Sequence, residues 1–428
     1  MAAFLVILFI ALIAIGVPIA YSLGIVSFIG IFSLDSIPNM VVFTKMFNGL
    51  NSFTLLAVPL FILAANLMNS GDITNKLIDV CISAIGHVRG GLAHANILIS
   101  MIFAGISGSS QADTAGVGKI LIPAMENQGY DKETAIGVTA ASSTLGSIIP
   151  PSILMVVYSG IASVSTGALF LVGILPGILL GLSMMAVVAI MGKKKNFPKS
   201  ERVPVGIVCK KIMTSLPALL TPLILIGGIV TGLFTPTESA AFACLYALLI
   251  GIFFYRSIHI KDLPKIIMDT MKQSSLSLFA LASATALGEL LSYYQLNVIV
   301  QRIFSNMPGG YAVFIIVTIL FFLFVGTFMD AVPAMILFIP IILPSAVALG
   351  INPIILGLIV VITLSLGLTT PPYGLCLLIA ASISGASIER AFKGVLPYFG
   401  VAVVVLAVIA CFPNVFLQIP MMLFPGTF

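Results

Sequence analysis

Four stretches carry the residue types that could do chemistry. Residues 105–113 run Gly105, Ile106, Ser107, Gly108, Ser109, Ser110, Gln111, Ala112, Asp113. Residues 142–151 run Ser142, Ser143, Thr144, Leu145, Gly146, Ser147, Ile148, Ile149, Pro150, Pro151. Two later stretches place Gly326, Thr327 and Asp330 ahead of Thr363, Ser365, Gly367, Thr369, Thr370 and the pair Pro371-Pro372. Proline removes a helix hydrogen bond and clashes with the preceding turn, so each double proline breaks a helix. At membrane depth, unwound backbone is tolerated only where it is buried in protein or lines a wet cavity. Its freed carbonyls, with Ser and Thr hydroxyls, are hard oxygen ligands suited to a small cation. Half-helix N-termini offer free N–H groups and a positive dipole end, suited to a carboxylate. A polar tip facing a broken helix, twice over, predicts two cation sites with an anion site between them.

These stretches need elements that hold them in place. Each apolar arm beside 105–113 has about 12 residues, or about 18 Å of helix. That is short of a hydrocarbon core of roughly 30 Å. The expected element is a re-entrant helical hairpin at about 94–127, then a broken helix at about 131–160. The later counterparts are a hairpin at about 297–349, with Pro333, Pro340 and Pro344 on its return arm, and a broken helix at about 352–383.

Composition agrees with a membrane setting. The chain has 428 residues, 60% hydrophobic and 8% charged, where soluble domains carry about 25% charged. Apolar runs such as 212–232, 241–255, 311–329 and 395–412 are long enough to span. The first apolar segment continues into more membrane and does not read as a cleaved signal peptide. The scattered cysteines (Cys81, Cys209, Cys244, Cys376, Cys411) form no CxxC and read as small hydrophobes. His87, His94 and His259 form no HExxH, and there is no GxSxG. Lys119 follows Gly118 but precedes Ile120, so no P-loop is present. An enzyme and an ATP-driven pump are both disfavoured. The net charge of +5 lies mostly in loops between apolar segments, a topology signal rather than a nucleic-acid patch.

A shift of 221 residues overlays one half of the chain on the other. Phe103 falls on Phe324, Gly105 on Gly326, Pro123 on Pro344, Gly129 on Gly350, Leu145-Gly146 on Leu366-Gly367, and Pro150-Pro151 on Pro371-Pro372. The expected domains are repeats at 1–192 and 212–428, joined by a linker at 193–211. That linker carries Lys193, Lys194, Lys195, Lys199, Arg202, Lys210 and Lys211 against Glu201, so it is expected in the cytoplasm. From it, 212–232 runs out and 239–255 returns to a basic inner loop at 256–272. Then 275–292 crosses out, the hairpin follows, 352–383 crosses in with a break, and 395–415 crosses out. The first half takes the opposite orientation, with both termini periplasmic. Every Lys and Arg except Lys45, Arg302 and Lys119 then falls on a cytoplasmic segment. Inverted repeats signal a transporter. The fold class expected is an all-α polytopic membrane protein of about ten to twelve transmembrane helices in two inverted repeats.

Some single side chains stay open. Asp113 and Asp330 are costly at membrane depth and so are functional candidates, or else cap hairpin helices. Lys119 pairs with Asp113 or snorkels. Glu289 is a proton relay, a pairing residue or interfacial.

Taken together, Gly16-Val17-Pro18-Ile19-Ala20, 107–113 with Ile122-Pro123-Ala124-Met125, Gly129-Tyr130-Asp131, 148–152, FTPTESAA at 234–241 and GLTTPPYG at 367–374 resemble the large membrane subunit of TRAP transporters, the tripartite ATP-independent periplasmic carriers. The resemblance covers essentially the whole chain. It implies sodium-coupled uptake of an organic anion in the bacterial inner membrane by an elevator-like motion. It also implies a small four-helix membrane subunit and a soluble periplasmic substrate-binding protein as partners. The chain begins directly at the large subunit, so the small one is expected as a separate polypeptide. Sodium is the coupling ion, and no cofactor is expected. The resemblance puts one sodium site among Ser107, Gly108, Ser109, Ser142, Ser143, Thr144 and Gly146. It puts the second among Gly326, Thr327, Thr363, Ser365, Gly367, Thr369 and Thr370. Substrate contacts are expected from Ser110, Gln111, Asp113, Ser147, Pro150, Asp330 and Pro371. Family members carry C4-dicarboxylates, sialic acid and other carboxylates, and the polar tip favours a hydroxyl-rich acid such as sialic acid. The competing reading is a carrier of the same plan that takes free substrate without a binding protein.

Overall fold

A computed structural model of the chain describes residues 2–34, 38–70, 73–305 and 309–423. Among these residues the regular elements are all helices. The chain opens with α1 (Ala2–Ala14), α2 (Ile19–Phe32), α3 (Val41–Leu50), α4 (Ala57–Asn69) and α5 (Ile73–Ile85). Then come the arms of a hairpin, α6 (Gly91–Ser107) and α7 (Ser110–Asn127), and a helix broken into α8 (Lys132–Ser143) and α9 (Ile153–Ala162). The long α10 (Thr166–Lys195) leads to α11 (Val205–Val230), α12 (Pro236–Leu249) and α13 (Leu263–Tyr293). After the short α14 (Leu296–Ser305) the pattern returns. Helices α15 (Gly310–Gly326) and α16 (Ala331–Ala348) form a hairpin, and α17 (Pro353–Gly367) and α18 (Leu375–Ser384) form a broken helix. The chain closes with α19 (Ile388–Cys411) and α20 (Pro413–Leu423).

Helix starts repeat at the sequence offset. Ser110 and Ala331 open α7 and α16, 331 − 110 = 221 residues apart, and Lys132 and Pro353 open α8 and α17, 353 − 132 = 221 apart. The peptide bonds Pro150-Pro151 and Pro371-Pro372 are both cis. Among the described residues, six helices are long and apolar enough to cross a membrane, or seven if α3 and α4, bent by 64°, count as one span. The shorter apolar helices include α2, both outer hairpin arms and pieces of both broken helices.

The second hairpin is tighter than its sequence predicts. Residues 297–305 belong to α14, and the hairpin proper begins at Gly310. Residues 306–308, within the expected span, lie outside the described residues. The apolar run across 297–349 hides this boundary, because an amphipathic helix beside a hairpin keeps hydropathy high. The linker is also shorter than predicted. Lys193–Lys195 complete the last turn of α10, where cations complement the helix dipole, and Lys210 and Lys211 already lie in α11. Lys195 pairs with Asp131 at 3.1 Å. Partial burial raises the carboxyl of Asp131, but the Thr134 and Lys195 partners outweigh it and hold it below its ordinary value.

FTPTE is a helix start. Thr235 caps α12, its hydroxyl accepts from the Glu238 N–H at 3.3 Å, and the Glu238 carboxylate accepts from the Thr235 N–H at 2.8 Å. This capping box satisfies two orphan donors.

Packing places the broken helices innermost. Every residue of α17 from Ile354 to Gly367 is buried. Helix α8 approaches α19 so closely that a Cβ on Gly137 would lie 2.2 Å from the Gly394 carbonyl oxygen. Small residues permit such approach between membrane helices. A second group packs α13 on α2, α3 and α4, α12 on α4, and α11 on α5. In that group Lys45 meets Glu289 at 2.9 Å, both half-exposed. This resolves Glu289 as a pairing residue. An exposed pair of this kind contributes about 0–1 kcal/mol. Glu289→Gln is therefore expected to leave the pH profile of uptake unchanged, and a displaced profile in reconstituted vesicles would restore the proton-relay reading.

Candidate functional site

Each hairpin turns at a polar tip fixed to the opposing break. At the first tip Gly108 has φ 62°, a left-handed conformation that glycine adopts without a steric penalty. Ser109 then runs extended and caps α7, accepting from the Ala112 N–H at 3.4 Å. The Gly108 carbonyl accepts from the N–H of Ile153, just past the double proline, at 3.1 Å. Beside it Ser110 Oγ lies 2.6 Å from Ser147 Oγ. At the second tip Asp330 occupies the cap position, and its carboxylate accepts from the Ala331 N–H at 2.8 Å. There the Thr327 carbonyl accepts from the Tyr373 N–H, again just past the double proline, at 2.9 Å. The capping alternative is thus correct for Asp330. For Asp113 it is not, because Ser109 caps that helix.

Asp113 is fully buried. Its Oδ1 accepts from the Ser107 hydroxyl, and its Oδ2 is buried without a hydrogen-bond partner. The break leaves room for that oxygen: a Cβ on Gly146 would lie 2.4 Å from Oδ2 and 3.1 Å from the Ser109 carbonyl carbon. An unpaired buried carboxylate oxygen is costly, so this one calls for a cation or a proton. Ser107, Ser109 and the tight 3-10 turn at 144–147 supply further oxygens nearby. Among the described residues no cluster of three His, Cys, Asp or Glu side chains could hold a metal. Any cation here must be one satisfied by hydroxyls, carbonyls and a single carboxylate.

The second tip meets its break through backbone. A Cβ on Gly367 would lie 2.7 Å from the Gly326 Cα and 3.0 Å from its carbonyl oxygen. The residue matching Asp113 at the 221 offset is Ala334, so no carboxylate stands there.

The tips also meet each other. Gln111 Nε2 donates to Asp330 Oδ1 at 2.9 Å. Around this bond lies a cavity of about 500 Å³, in the range of small-molecule sites. Its lining takes Ser107–Ala112 from the first tip, Asp330–Pro333 from the second, Ser147 and Ile153 from one break, and Leu368 and Tyr373 from the other. The first turns of α7, α9, α16 and α18 all reach it, so four positive dipole ends converge. The opposite wall comes from α2, α4 and α13. There Asn66 Nδ2 donates to Thr270 Oγ1 at 2.9 Å, and Gln273 and Ser277 face the cavity. Sequence reasoning missed this wall because its polar residues come from two separated helices, one from α4 and two from α13, with no motif.

Of the residues expected to touch substrate, Ser110, Gln111, Ser147 and Asp330 line the cavity. Asp113, Pro150 and Pro371 do not. Asp113 points from the other face of α7 into the hairpin, toward Gly146. The two prolines make the breaks, while the residues flanking them present atoms to the space. Of the residues expected at the first cation site, Ser107, Ser109 and Gly146 gather at Asp113, and Gly108 holds the turn. Ser142 instead lies 2.8 Å from Ser100 Oγ, tying α8 to α6, and Ser143 donates to the Thr139 carbonyl at 2.7 Å. Thr144 donates to the Ala141 carbonyl at 2.7 Å, while its own carbonyl faces Ser110 Oγ at 3.4 Å. At the second, Gly326 and Gly367 touch, and the hydroxyls of Thr327, Thr363, Ser365, Thr369 and Thr370 each donate to a carbonyl three or four residues back. Their lone pairs stay available. Lys119 is exposed and has no ion pair among the described residues, so it does not partner Asp113.

The chain matches the family described as tripartite ATP-independent periplasmic transporter, DctM component, over residues 6–415. It is 36% identical to the C4-dicarboxylate TRAP transporter large permease protein DctM of Pseudomonas aeruginosa, covering 91% of each chain. It is 34% identical to the sialic acid TRAP transporter large permease protein SiaM of Vibrio cholerae, covering 95% of each. It is 35% identical to the sialic acid TRAP transporter permease protein SiaT of Haemophilus influenzae, over 96% of this chain and 67% of that one. Its fold is like that of the Alcanivorax borkumensis YdaH transporter, with a TM-score of 0.62, 15% identity and 88% of each chain covered. A hairpin-and-break pair repeated around one cavity, in a chain alike in sequence to these permeases over nearly its full length, identifies this polypeptide as a multi-pass membrane permease belonging to the DctM family of TRAP transporters.

Proposed function

We propose that the chain carries out sodium-coupled uptake of a small organic carboxylate across the inner membrane, by alternating access of the cavity between the hairpin tips. The partners are a small membrane subunit and a soluble periplasmic binding protein that delivers the substrate. The observation that carries this reading is the convergence of both tips, both breaks and four helix N-termini on one space, beside a buried carboxylate with one oxygen lacking a hydrogen-bond partner among the described residues. No Lys or Arg is among the cavity's lining residues. The substrate carboxylate is then held by dipole ends and amide or hydroxyl donors. Ser109, Ser110, Gln111, Ser147, Asn66, Gln273 and Ser277 suit an acid rich in hydroxyls, such as sialic acid, more than a bare C4-dicarboxylate. The first sodium ion sits at Asp113 Oδ2 with Ser107, Ser109 and the 144–147 turn, and the second lies between Gly326 and the break at 367–372. The orientation places the basic linker in the cytoplasm and both termini in the periplasm, with the halves at 1–192 and 212–428 inverted. The transporting unit of hairpins and broken helices moves in an elevator-like manner.

The test is uptake into vesicles holding the permease and its small subunit, with the binding protein outside. The acid used is the one that most stabilises the binding protein against heat. Uptake should require an inward sodium gradient and the binding protein, without ATP. Equal uptake with potassium in place of sodium and no membrane potential would refute sodium coupling. Equal uptake without the binding protein would favour a carrier for free substrate.

A further inference from the structure

Beyond the cavity, the outward face of α7 continues toward Asn127, the end proposed above to face the cytoplasm, and carries Lys119 and, seven residues further on, the half-buried Glu126. Ala112 and Ala115 line the cavity. Lys119 follows at i+7 from Ala112 and i+4 from Ala115, on the same helix face. Gly116, beside it, lies close to the scaffold: a Cβ there would be 3.9 Å from Asn69 Oδ1 at the end of α4. Lys119, Ile120 and Pro123 are all exposed. The chain past this arm carries Asp131, Lys132 and Glu133 at the start of α8.

Lys119 sits nine residues past Ser110 and eight before Asn127, roughly 13 Å along the arm from the tip. Neither an ion pair nor a hydrogen bond engages it among the described residues. A free ammonium halfway down a re-entrant arm is costly against lipid but stable against water. Its face is the one that bounds the cavity, which argues for water. The one charged residue in the cavity lining is Asp330, whose carboxylate would repel an anion.

We infer that Lys119 lines the aqueous path from the cavity to the cytoplasm and draws the carboxylate substrate along it as a positioning charge. This rests on reading the cavity as the site of an anionic substrate. It adds a specificity-determining residue outside the cavity, on the exit side. Because the charge is water-exposed, its reach is about a Debye length and shrinks with salt.

The test needs neither substrate nor sodium coupling, so its failure and the failure of the transport reading are distinguishable. In the full permease with its small subunit, Cys209 and Cys411, both exposed, are replaced by Ser, and Ala115→Cys is introduced as a reporter. The reporter's reaction rates with an anionic and with a cationic methanethiosulfonate are compared at low salt. A unit charge one helical turn away changes each rate by about threefold in water. The anion-to-cation rate ratio should therefore fall about tenfold on Lys119→Gln and persist on Lys119→Arg. A ratio unmoved by Lys119→Gln overturns the inference. Should the reporter prove unreactive, Lys119→Cys itself gives the answer. Labelling by a membrane-impermeant reagent from the cytoplasmic face of inside-out vesicles supports the path. Failure to label means that the side chain lies in lipid and overturns it.

Discussion

Asp113→Asn should abolish the sodium-dependent gain in thermal stability and weaken sodium activation of uptake about 100-fold, while leaving the sodium-free protein at least as stable as the parent. Asp113 Oδ2 has no hydrogen-bond partner among the described residues. Without a cation the parent holds a buried carboxylate with one oxygen unsatisfied, and removing that charge relieves a cost. Asn can still accept from Ser107 through its carbonyl oxygen. With sodium, the parent gains stability by mass action, about 2.7 kcal/mol at a concentration of 100 times Kd. The neutral variant loses a charge-assisted ligand contributing roughly 1.5–3 kcal/mol, so the gain disappears over the same concentrations. Melting curves in sodium and in potassium chloride separate the roles. A merely structural Asp113 would give equal destabilisation in both salts. Retention of the parent's full sodium shift would remove this residue from the ion site.

Gly367→Ala should reduce uptake to below a tenth of the parent with the protein still inserted. The added Cβ would meet Gly326 Cα at 2.7 Å and its carbonyl carbon at 2.8 Å. These are backbone atoms, so no rotamer change relieves the contact, and the tip must lift from the break. Overpacking of this kind costs about 1–3 kcal/mol. Here it acts on the geometry of the proposed second ion site rather than on a passive core. Gly227→Ala is the control, since nothing lies within 4 Å of its Cβ. Normal sodium-dependent uptake by Gly367→Ala would show that the two glycines only pack.

The features legible in the sequence were those written in local residue types. Double prolines, serine-rich tips and the 221-residue offset mark where helices stop, because Pro and Gly act on the backbone where they stand. The offset even gives the starts of α16 and α17 from those of α7 and α8. Side-chain direction was not legible. Gln111 and Asp113 are two residues apart, yet one faces the cavity and the other the interior of the hairpin. Ser142 and Ser143 look like ligands by type, but their hydroxyls are engaged within and between helices. The wall of Asn66, Gln273 and Ser277 depends on α4 and α13 coming together, which composition does not reveal. Backbone oxygens, the main ligands in an unwound turn, leave no trace in residue identity.

The buried carboxylate of Asp113, matched by Ala334 in the second half, has an electrical consequence. Any motion that swings the hairpins between the two faces of the membrane moves Asp113 through part of the voltage drop. Emptied of ions, the proposed moving body bears the negative charges of Asp113 and of Asp330 at the second tip, and a cell interior held negative pushes them outward, toward reloading. A full unit charge crossing 100 mV is worth about 2.3 kcal/mol. Bound sodium would offset that charge, so the resting potential would speed the return of the unloaded carrier more than the loaded stroke.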